Sequence, residues 1–360
     1  MKRIISLFWA VCIALPLFAQ VKRGNIAIPD LKGYVTLKCD FHMHTVFSDG
    51  LVWPTVRVSE AFREGLDAIS ITDHIENRSR VYDNNISRNY SYEAALNDAK
   101  TMGIILIRGG EITRSMPPGH HNAIFITNAD ELHKPEYMDA FRAAKAQNAF
   151  IFWNHPGWDR QQADTTLWWN EHTQLLQQGM MHGIEVVNGG DYYPEAHRWC
   201  LEKKLTMIGN SDIHTPMPNF EHGKHRPITL VFASSATAEG IREALNGRRT
   251  AVYNDEYVIG EEKYLKELFE NALDISMKKN DNNTVQITFK NNSDLTFKLK
   301  KTSHDANLVY FREYTIIPNG IHLITVRLEN GVKGGDINFS VENFLVEPNK
   351  GMKYTVKIQN

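Results

Sequence analysis

The chain has 360 residues, 42% of them hydrophobic and 23% charged, with a net charge of −2. That length exceeds one comfortable hydrophobic core, so two domains are expected. The near-neutral balance, with no long Lys/Arg run, argues against a broad nucleic-acid footprint but leaves small phosphorylated substrates open, because metals can supply positive charge.

Lys2 and Arg3 precede an apolar stretch at 4–18 that ends at Ala19-Gln20. This pattern predicts a secretory signal peptide over 1–19, cut after Ala19; Leu17 at the −3 position leaves the exact cut open. Roughly 15 apolar residues fall short of the ~20 needed to span a bilayer, so the mature chain is expected to be exported, periplasmic or secreted, without membrane insertion. Cys12 leaves with this segment, and Cys39 and Cys200 make no disulfide framework; both read as small buried hydrophobes.

From 34 to 253 short β-type runs alternate with helical stretches. Strands are predicted at 35–39, 68–72, 104–107, 123–126, 150–153, 184–187, 207–209 and 229–233, and helices at 54–64, 90–100, 135–147, 167–178, 195–203 and 238–246. Pro54 and Pro135 suit a first helical turn. The alternation implies a parallel sheet with enough units to close into a barrel. Residues 254–273 read as a charged connecting helix. From 274 to 360 the pattern is all β: Val285, Ile287 and Phe289 alternate with polar residues, 321–328 is apolar on both faces, and turn signals such as Asn330-Gly331 separate the runs. A β-sandwich of about 85 residues is expected there. His304 and His322 are isolated in it and read as surface or packing residues.

The chemistry lies in the ends of the barrel runs. In order these are Asp40-Phe41-His42-Met43-His44 with Ser48-Asp49-Gly50, Thr72-Asp73-His74, Gly110-Glu111, Gly119-His120-His121, Asn154-His155-Pro156 and Ser211-Asp212-Ile213-His214. A lone His-x-His is weak, but six clusters, mostly after apolar runs, point to a site on one face of a barrel. His42 and His44, two apart, face one side of an extended segment. With Asp49, His74, Glu111, His120, His155, Asp212 and His214 they form a set too large for one tetrahedral ion. Two or three metals bridged by carboxylate are required, Glu111 being the natural bridge; the absence of Cys suits Mn, Fe or Zn in hydrolysis.

This ordered set of motifs, over about 34–253, resembles the PHP (polymerase and histidinol phosphatase) family. The resemblance implies a distorted (β/α)7 barrel, a di- or trinuclear divalent-metal site and hydrolysis of phosphoesters by metal-activated water, with Asp212, His214 and Glu111 at its catalytic heart. An exported PHP barrel followed by an immunoglobulin-like sandwich is similar to bacterial phosphodiesterases acting on small alkyl phosphate diesters. The family's ligand usually follows Gly directly, which favours His120 over His121.

Arg114, Arg160 and Arg226 are candidates to hold the substrate phosphate, with a surface or sheet-edge role equally open to each. Candidates for protonating the leaving oxygen are His214, His222 and His225. Asp40 and Asp73 could orient imidazoles or bond their own loops. Trp153, Trp158, Trp168 and Trp169 could wall a leaving-group pocket or pack the core, and Glu185 could be an added acid/base or an internal hydrogen-bond partner. The favoured activity is hydrolysis of a small phosphodiester or phosphomonoester. The alternatives are a nuclease, a histidinol-phosphate-like phosphatase, or a non-catalytic metal-containing binding protein.

Overall fold

The computed structural model describes residues 22–79, 85–218, 225–280 and 283–358; the expected leader 1–19, with Cys12, and also His222 lie outside these. Among the described residues no helix is long and apolar enough to cross a membrane.

The first domain is built on β1 (Val35–Asp40), β2 (Ala68–Ile71), β3 (Ile105–Ile112), β4 (His121–Ile124), β5 (Phe150–Trp153), β6 (Gly183–Asn188), the two-residue β7 (Asp191–Tyr192) and β8 (Thr206–Asn210). Pairing runs β1-β2-β3-β4-β5-β6-β8, with β7 on the side of β6. The ring closes beyond the ends of β8 and β1: Asp212 N donates to His42 O at 2.9 Å and His44 N to Ile213 O at 3.0 Å. Helices α1 (Pro54–Glu64), α2 (Tyr90–Met102), α3 (Tyr137–Ala146), α4 (Asn170–Gln177), α5 (Pro194–Lys203) and α6 (Ala238–Asn246) surround it. Strands β2, β4, β5, β6 and β8 are buried at every position, as expected when side chains of both faces are covered.

Four features depart from the expectations. The sheet is mixed rather than parallel, because β4 follows β3 through a loop without a helix and so runs antiparallel to it and to β5. Next, β9 (Ile228–Ala233) returns antiparallel against β1, and β10 (Thr250–Asn254) against β9. The connecting segment is also not helical throughout: β11 (Tyr257–Gly260) forms a hairpin with β10, and α7 (Glu262–Ala272) begins after it. Lastly, Pro54 does open α1, but Pro135 lies ahead of the Glu136 cap of α3. Cys39 and Cys200 are buried and free.

The second domain packs two sheets. One holds β12 (Leu273–Asn280), β13 (Thr284–Asn291), β15 (Leu308–Val309) and β17 (Ile321–Leu328). The other holds β14 (Phe297–Lys301), β16 (Glu313–Ile316), β18 (Gly335–Glu347) and β19 (Lys350–Ile358). The alternation in β13 aims Val285, Ile287 and Phe289 inward, where they meet Ile324 and Val326 of β17. The apolar outer residues of β17 stay out of the core: Ile321 is 68% and Leu323 53% exposed. The domains share backbone as well as core. Strand β11 pairs in parallel with β18 (Val258 with Phe344, Ile259 with Leu345), and Phe269 of α7 lies 5.0 Å from Phe297 and 4.5 Å from Tyr354, ring to ring.

Candidate metal centre

The chain leaves β1 still extended. Phe41 and Met43 enter the core, so His42 and His44 project together from the opposite side. Met43 bridges to Ile213, and Thr72 N donates to Met43 O at 2.9 Å, fixing the segment between its neighbours. The next turn carries Asp49 back over the imidazoles. It needs Gly50, since a Cβ there would lie 2.6 Å from the His44 backbone. His74 follows β2 and pairs with Glu111, which stands inside β3 rather than past its end. His120 immediately precedes β4, and His155 follows β5. His155 (φ 29°) and Asp212 (φ 51°) occupy left-handed backbone, the local strain common at functional sites.

All nine expected ligands converge. His42 Nε2 and His44 Nε2 are 3.1 Å apart, and each lies 3.1 Å from Asp212 Oδ1. Glu111 sits at the middle: Oε2 is 2.5 Å from His74 Nδ1, and Oε1 is 3.0 Å from His120 Nδ1 and 3.7 Å from His155 Nε2. At the rim Asp49 lies 3.3 Å from His74 Nε2 and 3.2 Å from His214 Nε2. Among the described residues three groupings could each hold an ion: His44, Asp49, His74 and His214; His42, His44 and Asp212; and His74, Glu111 and His120. His44 and His74 each recur, so the groupings adjoin.

Protons alone do not satisfy this arrangement. His42 Nδ1 lies 2.8 Å from Glu185 Oε1 and donates to it. Ser48 donates to Asp73 at 2.7 Å, so its oxygen accepts from His44 Nδ1 at 3.3 Å. In the neutral rings both Nε2 atoms are therefore lone pairs, facing each other and a carboxylate oxygen. Glu111 Oε2, Asp212 Oδ1 and His120 Nδ1 are buried with polar atoms close by but none in hydrogen-bonding geometry, and His155 Nδ1 is buried without a hydrogen-bond partner. A cluster of N and O lone pairs without Cys suits a hard to borderline divalent cation.

The electrostatics agree. Burial opposes charge on His42, yet Asp212, Glu185 and Glu111 raise its pKa to about 10. Burial likewise opposes charge on His74, His155 and His214, and surrounding carboxylates raise all three. Burial and the nearby His74 push His44 down to about 4. Glu111 and Asp212 fall well below the usual carboxylate range because neighbouring imidazoles outweigh their burial. Carboxylates that draw protons onto imidazoles attract a metal ion by the same field.

Around the cluster, Glu185 does more than face inward: it also accepts from His155 N at 2.7 Å, Asn188 at 2.7 Å and Asn210 at 2.9 Å. Asn154 donates to Glu111 Oε1 at 2.9 Å. Asp40 and Asp73 serve the loops: Asp40 accepts from Ser211, and Asp73 from Thr45, Ser48 and Ser91. His121 turns away from the cluster, its ring between Phe141 and Trp153. Trp153 and Trp168 pack with Trp199, Trp169 bonds Gln162, and Trp158 alone of the four flanks the ligands, 5.2 Å from His155 and 5.7 Å from His120.

Two substrate-binding expectations fail. Arg226 is buried, 2.9 Å from Asp40 and doubly bonded to Glu64, an internal ion-pair network rather than a phosphate contact. Arg114 is committed to Glu76 at 2.9 Å and to the carbonyls of Lys134 and Pro135. Arg160 is exposed and lies 5.8 Å over the Trp158 ring. His225 donates to its neighbour's carbonyl and lies against Tyr253. Arg57 escaped the sequence reading; it is fully buried and binds the carbonyls of His44, Ile213 and Thr215. A buried Arg on a helix carries no distinguishing sequence signal.

Residues 40–207 match the PHP domain family and residues 273–357 the Ig-like domain family DUF5001. A two-domain protein from Bacteroides vulgatus ATCC 8482, containing a predicted PHP-like metal-dependent phosphoesterase, is 55% identical, with a TM-score of 0.91 over 93% of this chain and 99% of that one. A candidate metal-dependent phosphoesterase from Bifidobacterium adolescentis ATCC 15703 is 18% identical (TM-score 0.41, 58% of this chain, 96% of that one). An amidohydrolase from Chromobacterium violaceum with bound sulfate and no metal is 16% identical (TM-score 0.40, 60% and 98%). No curated protein matches significantly. On the strength of that full-length relative, and with the matched segment spanning the converging residues from His42 to His155, the chain belongs to the PHP-like metal-dependent phosphoesterases and carries an Ig-like C-terminal domain.

Proposed function

We propose that this protein is an exported phosphoesterase that hydrolyses a small-molecule phosphodiester in preference to a monoester, using two or three divalent ions of Mn, Fe or Zn. The observation that carries this reading is the convergence of His42 Nε2, His44 Nε2 and Asp212 Oδ1 within 3.1 Å of one another, beside two further groupings that share His44 and His74. When bound, such ions supply charge stabilisation at the phosphoryl oxygens and lower the pKa of water to near neutrality.

The chain's own groups prepare the site. His42, His44 and Asp212 would hold one ion, His74, Glu111 and His120 a second, and Asp49 and His214 with His44 and His74 a third. Glu185 fixes the tautomer and orientation of His42, and Asn154 orients the Glu111 carboxylate.

The test is parallel turnover of bis(p-nitrophenyl) phosphate and p-nitrophenyl phosphate by Mn-reconstituted protein, with metal content measured on the same sample. Faster turnover of the diester is expected, and Ala at His42, Glu111 or Asp212 should abolish turnover together with bound metal. Faster turnover of the monoester would make the protein a phosphatase. Metal content and hydrolysis that survive those substitutions would sink the site assignment.

A further inference from the structure

A cavity of about 990 Å³ has Ser48, Asp49, Glu76, Arg78, Arg88 and His133 in its lining. Asp49 belongs also to the imidazole cluster, 3.2 Å from His214 and 3.3 Å from His74, so the cavity opens directly off the metal centre. Most of its charges are already matched. Glu76 accepts from Thr113 N at 2.8 Å and pairs with Arg114 at 2.9 Å. Arg88 donates to Ile75 O at 2.8 Å and pairs with Asp130 at 3.6 Å.

Arg78 differs. It donates to Ile86 O at 2.6 Å, and among the described residues it has no carboxylate within ion-pairing distance. A guanidinium offers five N–H donors in a planar fork, and the bond to Ile86 takes one of them. Burial and the neighbouring Arg88 work against its charge and outweigh Asp73 and Asp130, which favour it. At His133, too, burial and the cations Arg88, Arg114 and Arg78 outweigh Asp130 in disfavouring a further positive charge. Two guanidinium groups, Arg78 and Arg88, thus line the cavity alongside the carboxylates of Asp49 and Glu76, and of the two Arg78 is the one without an ion pair among the described residues.

We propose that this cavity is an anion subsite: the substrate phosphoester carries a second anionic group, a phosphate or a carboxylate, remote from the scissile phosphorus, and Arg78 binds it. The inference rests on the phosphoesterase reading for the identity of the first group, which the metal centre takes. Arg78 would set specificity by favouring doubly anionic substrates over alkyl ones of equal length, since charge-assisted, bidentate contacts are the strong ones.

The test is calorimetric titration of the full, Mn-loaded protein with 3-phosphonopropionate and with propylphosphonate, which differ by carboxylate against methyl. Propane-1,3-bisphosphonate serves as the phosphate-like arm. Wild-type protein is expected to bind the two-anion ligands about tenfold tighter than propylphosphonate, one charge-assisted contact's worth. Arg78→Gln should close that gap and Arg78→Lys should restore part of it, with thermal melting confirming that both variants fold. The stronger of the two anionic arms identifies the second group. Equal affinity for all three ligands in wild-type protein, or a gap undiminished in Arg78→Gln, would overturn the subsite. If the gap is present but neither nitrophenyl ester is hydrolysed, the subsite stands and the phosphoesterase reading is what fails.

Discussion

Glu185 shows what single residues contribute beyond ligation. Its two oxygens accept four hydrogen bonds, from His42, His155 N, Asn188 and Asn210, all at 2.7 to 2.9 Å. In Glu185→Gln one oxygen becomes an NH2 facing N–H donors, so His42 loses its anchor while the shape is kept. Metal affinity should fall by about 10- to 100-fold, as for other partners that orient metal-binding histidines. Chelator competition measures it, and unchanged affinity would show that Glu185 does not position His42. The nine converging residues were legible in the sequence because each is of a metal-ligand type and most lie near the end of a β-type run. Glu185 could be placed inside the barrel but not assigned a partner, since nothing in sequence relates it to His42, 143 positions away. Arg226, adjacent to a loop histidine, read as a phosphate contact for the same reason: its true partners Glu64 and Asp40 are remote in the chain.

Elements bring their own liabilities. Helix α1 sends Arg57 under the site to bind the carbonyls of His44, Ile213 and Thr215 and the carboxylate of Glu60. Arg57→Ala leaves those acceptors unpaired, and Glu60 as a buried charge. A loss of about 3 kcal/mol in urea unfolding is expected, with weakened metal binding because both ligand-bearing segments loosen. Stability within about 0.5 kcal/mol of wild type would contradict this role. Helices α4 and α5 bury His172 and His197, whose pKa values burial pushes down to about 4. Unfolded histidine titrates near 6.5, so between about 6.5 and 4 the unfolded chain binds more protons. Their contribution is therefore complete above the unfolded value and is lost as pH falls toward about 4. Thermal midpoints between pH 8 and 4 should drop for wild type, and less steeply for the double variant His172→Gln/His197→Gln, the slopes differing by about two protons near pH 5. Parallel curves would show that these histidines do not couple folding to pH.

At the scale of the whole molecule the Ig-like domain is a continuation of the barrel's core. Val258 and Ile259 of β11 pair with β18, while Leu268 and Phe269 of α7 bury their side chains among residues of both domains. Each large apolar side chain so exposed costs about 2 kcal/mol. Removing residues 273–360 would uncover Val258, Leu265, Leu268 and Phe269 and leave β11 as an open edge, a loss comparable with the entire stability of a domain, about 5–15 kcal/mol. The truncated barrel is expected to aggregate on expression; a soluble, monomeric barrel melting within a few degrees of the full chain would refute the shared core.

By itself the sequence determined the two-part architecture, most of the barrel strands and the nine candidate ligands that the fold brings together. Those depend on local patterns: apolar runs of strand length, helical periodicity, turn residues, and side chains whose chemistry suits a metal. Tertiary structure alone decided the rest. Strand β4 runs antiparallel because of how a loop returns, a matter of chain path that periodicity does not encode. His120 faces the centre while His121 packs against Phe141, because adjacent residues of an extended segment point opposite ways and only the register against β5 fixes which way is inward. Among the described residues Arg78 has no ion pair while Arg88 and Arg114 find theirs in Asp130 and Glu76, because charge partners separated in sequence are chosen by the fold.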